Sequence, residues 1–96
     1  MEDHGARLKR TTMRSWRRGT REMDLILGPF AEAELAAMDA ESLDAYERLL
    51  DENDQDLYPW ITARLGGGTA GPQAHAAMLD RIAAHAQGRL REIRGA

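Results

Sequence analysis

The sequence predicts an all-α protein, a compact bundle of five short helices forming one domain over residues 1–96. Three observations carry that expectation. Apolar residues recur at helical spacing along the chain, so each segment has one face to bury. β-branched residues are few, and no apolar–polar alternation lasts beyond a few positions, which leaves a strand reading without support. Glycine gathers at Gly19 and in the run Gly66 to Gly71, where it separates periodic segments as helix punctuation.

The first helix is expected from Ala6 to Arg18, with Leu8, Met13 and Trp16 as its sparse apolar contribution. Gly19 stops it, because glycine tolerates the left-handed conformation common just past a helix end. Thr20 then caps a second helix that turns Met23, Ile26, Leu27 and Phe30 inward. Pro29 kinks or restarts this helix, since proline has no N–H for the turn behind it. Asp39 or Ser42 opens a third helix with Leu43, Tyr46, Leu49 and Leu50 as its buried stripe, ending in DENDQD. A fourth begins near Asp54 or Asp56, places Pro59 in its first turn, and buries Leu57, Trp60, Ile61 and Leu65. GGGTAGP breaks it. The last helix spans Pro72 to Gln87 with Met78, Leu79, Ile82 and Ala86 on one side, and residues 1–6 and 88–96 are expected to be flexible ends.

Composition narrows the function classes. The chain has no cysteine, which excludes a disulfide framework and a zinc–thiolate site. No apolar run reaches the ~18 residues of a membrane span, and the polar start MEDHGARLKR lacks the apolar core of a secretory signal. A soluble, cytoplasmic protein with no membrane partner is expected. The net charge of −3 conceals three blocks: residues 1–21 hold seven Lys/Arg against two acids, residues 22–60 hold twelve acids against Arg48 alone, and residues 61–96 hold five Arg against two acids. Blocks of +5, −11 and +3 either complement one another inside the fold or present faces of opposite sign to a partner.

Candidate catalytic and ligand sites fare poorly. Gly66, Gly68 and Gly71 satisfy G-x-G-x-x-G, but a dinucleotide fingerprint needs a strand before it, and here a helix is expected; a flexible linker is the better reading. His75 and His85 stand ten residues apart on one expected helix rising ~1.5 Å per residue, too far to share a metal, and His4 lies in an end segment. Ser15 and Ser42 are accounted for by helix surface and cap, so no nucleophile–base pair emerges. Arg7, Lys9, Arg10, Arg14, Arg17, Arg18 and Arg21 could neutralise phosphates, with Trp16 stacking on a base. The acidic whole opposes that, and no nucleic-acid partner is expected. DENDQDLYPW, residues 51–60, reads either as a solvated turn with helix caps or as an interface where carboxylates orient a basic partner and Tyr58 and Trp60 anchor it.

At RRGTREMD, residues 17–24, the chain resembles a known family. Arg18, Gly19 and Glu22 reproduce the R-G-x-x-E motif of the succinate dehydrogenase assembly factor 2 family, the SdhE-type FAD assembly factors. The resemblance extends through Trp16, Met23 and Asp24, the Pro29–Phe30 pair, the tyrosine and leucines of the third helix, and the D-x-D-L-Y-x-W block from Asp54 to Trp60. It covers residues 8–62 closely and the last helix generally.

The resemblance implies an all-helical factor that is not an enzyme and has no cofactor of its own. It implies binding to the flavoprotein subunit of succinate dehydrogenase, and in some members of fumarate reductase, with promotion of covalent FAD attachment to that subunit. Arg18, Gly19 and Glu22, with Trp16, Arg21 and Asp24, become the partner-binding candidates, supported by Asp54, Asp56, Tyr58 and Trp60. Apart from the resemblance, Arg18 could pair with Glu22 across the glycine junction. No metal site is implied. A monomeric bacterial cytoplasmic factor is the form inferred, the first residues including Glu2 and Asp3 rather than a mitochondrial presequence. Relatives labelled as antitoxins supply the alternative, a regulatory protein-binding module.

Overall fold

The structure, a computed structural model, describes residues 2–94, with side chains through Arg89. Among the described residues there are five α-helices and no strand: α1 (His4–Trp16), α2 (Arg21–Glu34), α3 (Ala40–Leu50), α4 (Asp54–Leu65) and α5 (Ala76–Arg94). Single 3₁₀ turns, Leu35–Ala37 and Gln73–His75, extend α2 and introduce α5. The all-α expectation holds. Three of the four N-caps are side-chain caps of the kind that satisfies an orphan amide: Asp3 accepts from Ala6, Thr20 from Met23 and Asp39 from Ser42. Asn53 precedes α4 without a side-chain cap bond, and Asp54 and Asp56 supply the negative charge that a helix start favours.

One core binds α2 to α5. Met23, Leu27 and Phe30 of α2, Leu43, Tyr46 and Leu49 of α3, Leu57 and Ile61 of α4, and Leu79 and Ile82 of α5 are all fully buried. Burying one such side chain contributes about 1.5–3 kcal/mol, so this cluster is the main stabilising element. Phe30 sits beside Tyr46 with ring centroids 5.5 Å apart and meets His85 edge-on.

α1 joins the core by a different route. Met13 is 39 % exposed, while Leu8 packs against the core and Trp16 against α2 as half-buried side chains, so the expected apolar stripe is only part of what docks this helix. Its buried residues are Thr11 and Ser15. Ser15 Oγ spends its one proton on the Thr11 carbonyl at 2.9 Å, so in the 2.7 Å contact with Tyr46 the phenol is the donor. Burial pushes the Tyr46 hydroxyl pKa up to about 12, keeping that donor protonated.

The charge blocks complement one another along the same seam. Arg7 pairs with Asp44 and Glu47, Thr11 donates to Glu47, Arg14 pairs with Asp51 and Arg18 with Asp54. Each partner lies 36, 37 or 40 residues further along the chain, so α1 and α3 run in the same direction with their charges in register. Exposed ion pairs add little individually, but a row of them fixes register. The Arg7 guanidinium, with the Thr11 hydroxyl second, holds the Glu47 carboxyl below the usual glutamate range.

Four other boundaries and packings differ from expectation. α2 runs unbroken through Pro29 because Arg89 of α5 donates to the Leu25 carbonyl at 2.9 Å, the acceptor that proline leaves without its helical donor. Pro59 is the sixth residue of α4, in its second turn, not its first. α5 continues past Gln87 to Arg94, and Ala83 lies deeper than Ala86. Met1, Gly95 and Ala96, parts of the expected flexible ends, lie outside the described residues. The segment 66–71 is a shaped turn: Gly67 and Gly71 have positive φ, and Arg64 donates to the Trp60 and Ala70 carbonyls.

Gly28 was given no role by the sequence, yet it sets the α1–α2 contact. A Cβ there would stand 2.3 Å from Trp16 Cδ2, inside the indole. Trp16 lies over this gap and donates Nε1–H to Glu32 Oε2 at 2.9 Å. Gly28→Ala should therefore lower the unfolding free energy by about 1–3 kcal/mol in urea titrations. In a Trp16→Ala background most of that penalty should vanish, a non-additivity that a double-mutant cycle reads directly.

A second outcome concerns acid stability. Glu47 binds its proton more weakly folded than unfolded, so its contribution is complete above the unfolded glutamate pKa and disappears as pH falls through the lower folded value. Urea midpoints measured between pH 7 and pH 3 should drop on the acid side, and Glu47→Gln should flatten that limb while reducing stability at neutral pH.

Candidate functional site

Arg18 is the anchor of the R-G-x-x-E segment, and it is held inward. Its side chain is 11 % exposed. Nε donates to Asp54 Oδ1 at 2.8 Å, Nη1 to the Leu50 carbonyl at 2.8 Å and Nη2 to the Glu52 carbonyl at 2.7 Å. One guanidinium thus satisfies carbonyls at the end of α3 and pairs with the first residue of α4, a use that its planar fork of donors permits and a lysine could not match. The expected Arg18–Glu22 pair does not form. Asp54, carried at the α4 N-terminus, offers a nearer and better-shielded carboxylate.

The glycine that follows is fixed by the same carboxylate. Gly19 N–H donates to Asp54 Oδ2 at 2.7 Å, while Arg18 N–H donates to Asp24 Oδ1 at 2.6 Å. Asp24 and Asp54 therefore tie down the backbone between α1 and α2, and Thr20, the next residue, caps α2. Gly19 does not adopt a left-handed conformation: among the described residues, positive φ is confined to Gly67 and Gly71. α1 has already ended at Trp16, with Arg17 out of the helical region as its C-cap. A Cβ on Gly19 would meet only Asp54 Oδ2, at 3.4 Å. The residue is accordingly replaceable as far as the fold is concerned, and what it offers is an unobstructed backbone surface.

Around Gly19 the surface forms a trough. Arg17, Gly19, Thr20, Asp51 and Gln55 lie along one stretch. Thr20, Asp54 and Gln55 continue it into a cleft of about 450 Å³ bounded by Glu22, Tyr58 and Pro59. Glu22 is exposed and forms no hydrogen bond or ion pair among the described residues, and Tyr58 is 41 % exposed. The cleft thus sets an unpaired carboxylate beside an accessible phenol.

Not every sequence candidate reaches the trough. Arg18, Gly19, Glu22, Asp54 and Tyr58 converge there; Asp24 acts from beneath by holding the backbone. Arg21 and Asp56 are exposed. Trp16 is spent on Gly28 and Glu32, and Trp60 packs on His75 and against Gly71. The acidic block 51–60 resolves residue by residue: Asp51 pairs with Arg14, Glu52 with His75 and Asp54 with Arg18. Sequence reasoning missed the carbonyls of Leu50 and Glu52 as partners of Arg18, since every residue carries a carbonyl and only the fold selects which are reached. Among the described residues, no group of three His, Cys, Asp or Glu side chains could hold a metal ion. No described helix is long and apolar enough to cross a membrane.

The fold and the trough define a small all-α bundle whose motif residues border an open trough rather than an enclosed cavity. Residues 9–86 match the family Sdh5, described as flavinator of succinate dehydrogenase, and the chain belongs to that family. It is 38 % identical over 91 residues to the FAD assembly factor SdhE of Photobacterium profundum, covering 93 % of each chain. To the FAD assembly factor SdhE of Vibrio parahaemolyticus it is 35 % identical over 75 residues, 78 % of this chain and 84 % of that one. It is also 46 % identical over 61 residues to the mitochondrial succinate dehydrogenase assembly factor 2 of Aspergillus terreus, matching 64 % of this chain. This chain spans 21 % of that mitochondrial relative's length.

The geometry separates two motif residues that the sequence treats alike. Arg18→Ala leaves Asp54 partly buried without its partner and two carbonyls without donors, and should cost about 3 kcal/mol of unfolding free energy. Glu22→Ala should change it by less than about 0.5 kcal/mol. Chemical denaturation followed by far-UV circular dichroism distinguishes the two outcomes.

Proposed function

We propose that this chain is an assembly factor that binds the flavoprotein subunit of succinate dehydrogenase and promotes covalent attachment of FAD to it. The observation that carries this reading is the trough at Gly19, where a side-chain-free backbone adjoins the cleft bounded by the exposed Glu22 and Tyr58, in a chain of the flavinator family. The FAD is the flavoprotein's. The bond forms through the chemistry of flavin and host, and the factor contributes by holding the host in a competent arrangement, which is catalysis by positioning.

Within that role the motif divides its labour. Arg18, Asp24 and Asp54 set the shape of the surface, while Gly19, Glu22 and Tyr58 meet the partner, with Arg21 and Asp56 at the rim. The factor acts as a monomer in the bacterial cytoplasm, and the fumarate reductase flavoprotein is a second client of the same chemistry.

Gly19→Arg places a long side chain in the trough, and Glu22→Ala removes its free carboxylate. Both variants should keep the helical content of the parent while covalent flavin on the succinate dehydrogenase flavoprotein, read by fluorescence on a denaturing gel, forms at least tenfold more slowly. Flavin fluorescence that is unchanged when the factor is deleted would sink the proposal.

A further inference from the structure

The trough does not stop at Arg17. Arg17 and Arg18, which line its middle, also border a third depression of about 380 Å³ on the outer face of α1, shared with Arg10, Met13 and Arg14. The depressions therefore run on from one to the next, from Tyr58 and Glu22, across the Gly19 backbone, to Met13. Positions 10, 13 and 14 share one face of α1, and Arg17, its C-cap, borders the same depression, so this end is built by the last turns of α1 and its cap.

Its chemistry is set by what the fold leaves unmatched. Arg7, Arg10, Arg14 and Arg18 all have carboxylate partners, whereas Arg17 has none among the described residues. Met13, one turn before it, is 39 % exposed, one of three large hydrophobic residues so exposed among the described residues. Tyr58, another of the three, lies at the far end with the unpaired Glu22. Each end of the trough thus carries one accessible apolar side chain and one uncompensated charge, and the two charges are opposite.

We infer that the trough docks a single extended segment of the flavoprotein, with an acidic residue and an apolar neighbour at the Arg17–Met13 end and a basic residue at the Glu22–Tyr58 end. The inference rests on the proposed function and adds to it a direction and a second contact region on α1. An extended strand suits a shallow trough whose floor is backbone, because the partner chain can come close only where Gly19 presents no side chain. A thioether adapts to irregular apolar contacts, and a free guanidinium gives a carboxylate a two-pronged partner. Charges of opposite sign at the two ends disfavour docking in the reverse direction, since that alignment sets like against like.

The test uses the full chain and the succinate dehydrogenase flavoprotein subunit prepared without FAD. Met13→Glu and Arg17→Glu are both surface changes and should leave the urea midpoint unaltered. Each should weaken binding at least tenfold, while Arg48→Glu, an exposed charge reversal lining none of the three stretches, should leave it within twofold. Hydrogen exchange on the flavoprotein should show one protected segment, losing protection at its acidic end with Arg17→Glu and at its basic end with Glu22→Arg. If Met13→Glu and Arg17→Glu bind like the parent while Gly19→Arg does not, the α1 extension is wrong and the proposed function stands. Equal weakening by Arg48→Glu would reduce the effect to general charge and overturn the inference. No binding by the parent chain would overturn both.

Discussion

A single guanidinium organises the surface that distinguishes this bundle. Arg18 reaches the carbonyls of Leu50 and Glu52 where α3 ends and the carboxylate of Asp54 where α4 begins. Three chain segments distant in sequence are joined through the donors of one side chain, and Asp54 returns its second oxygen to the Gly19 amide. Charge-assisted bonds of this kind are stronger than neutral ones, and here they are largely shielded from water. The trough, the aim of α2 and the placement of Tyr58 all follow from that junction. The motif arginine is therefore held inward, while Gly19 and Glu22 beside it are exposed.

The same device recurs. Arg89 supplies the donor that Pro29 withholds from the Leu25 carbonyl, and Arg64 closes the glycine turn on the carbonyls of Trp60 and Ala70. A small domain has little surface to bury and cannot leave backbone acceptors unpaired inside it. Long arginines reaching across elements meet that requirement where helix geometry fails. α1 is likewise held by polar chemistry, through the buried Thr11 and Ser15, the Tyr46 hydroxyl and the row of ion pairs with α3. The opposed charge blocks of the sequence are mostly consumed in this way. Among the described residues lining the trough, Arg17 at one end and Glu22 at the other are left without a partner.

The geometry thus separates fixed groups from free ones. The groups that fix shape are inward and satisfied, so the exposed ones vary without endangering the fold. Gly19 is the extreme case: the fold has room for a side chain there, and the surface is accessible because none is present.

The sequence by itself determined the helices and the core. Local chemistry is enough for that: caps at Thr20 and Asp39, and the stripes of α2 to α5 with Leu43, Tyr46, Leu57 and Ile61 buried as their periodicity required. It also displayed R-G-x-x-E and the aspartate–aromatic block as a unit, since motif residues are legible wherever their spacing is kept. Only the tertiary structure decided which motif residue faces which way. Arg18 pairs with Asp54 rather than Glu22, Trp16 fills the gap at Gly28, and Pro29 is tolerated because Arg89 arrives from α5. Such partners lie many residues away and are chosen by proximity, which spacing along a chain does not encode.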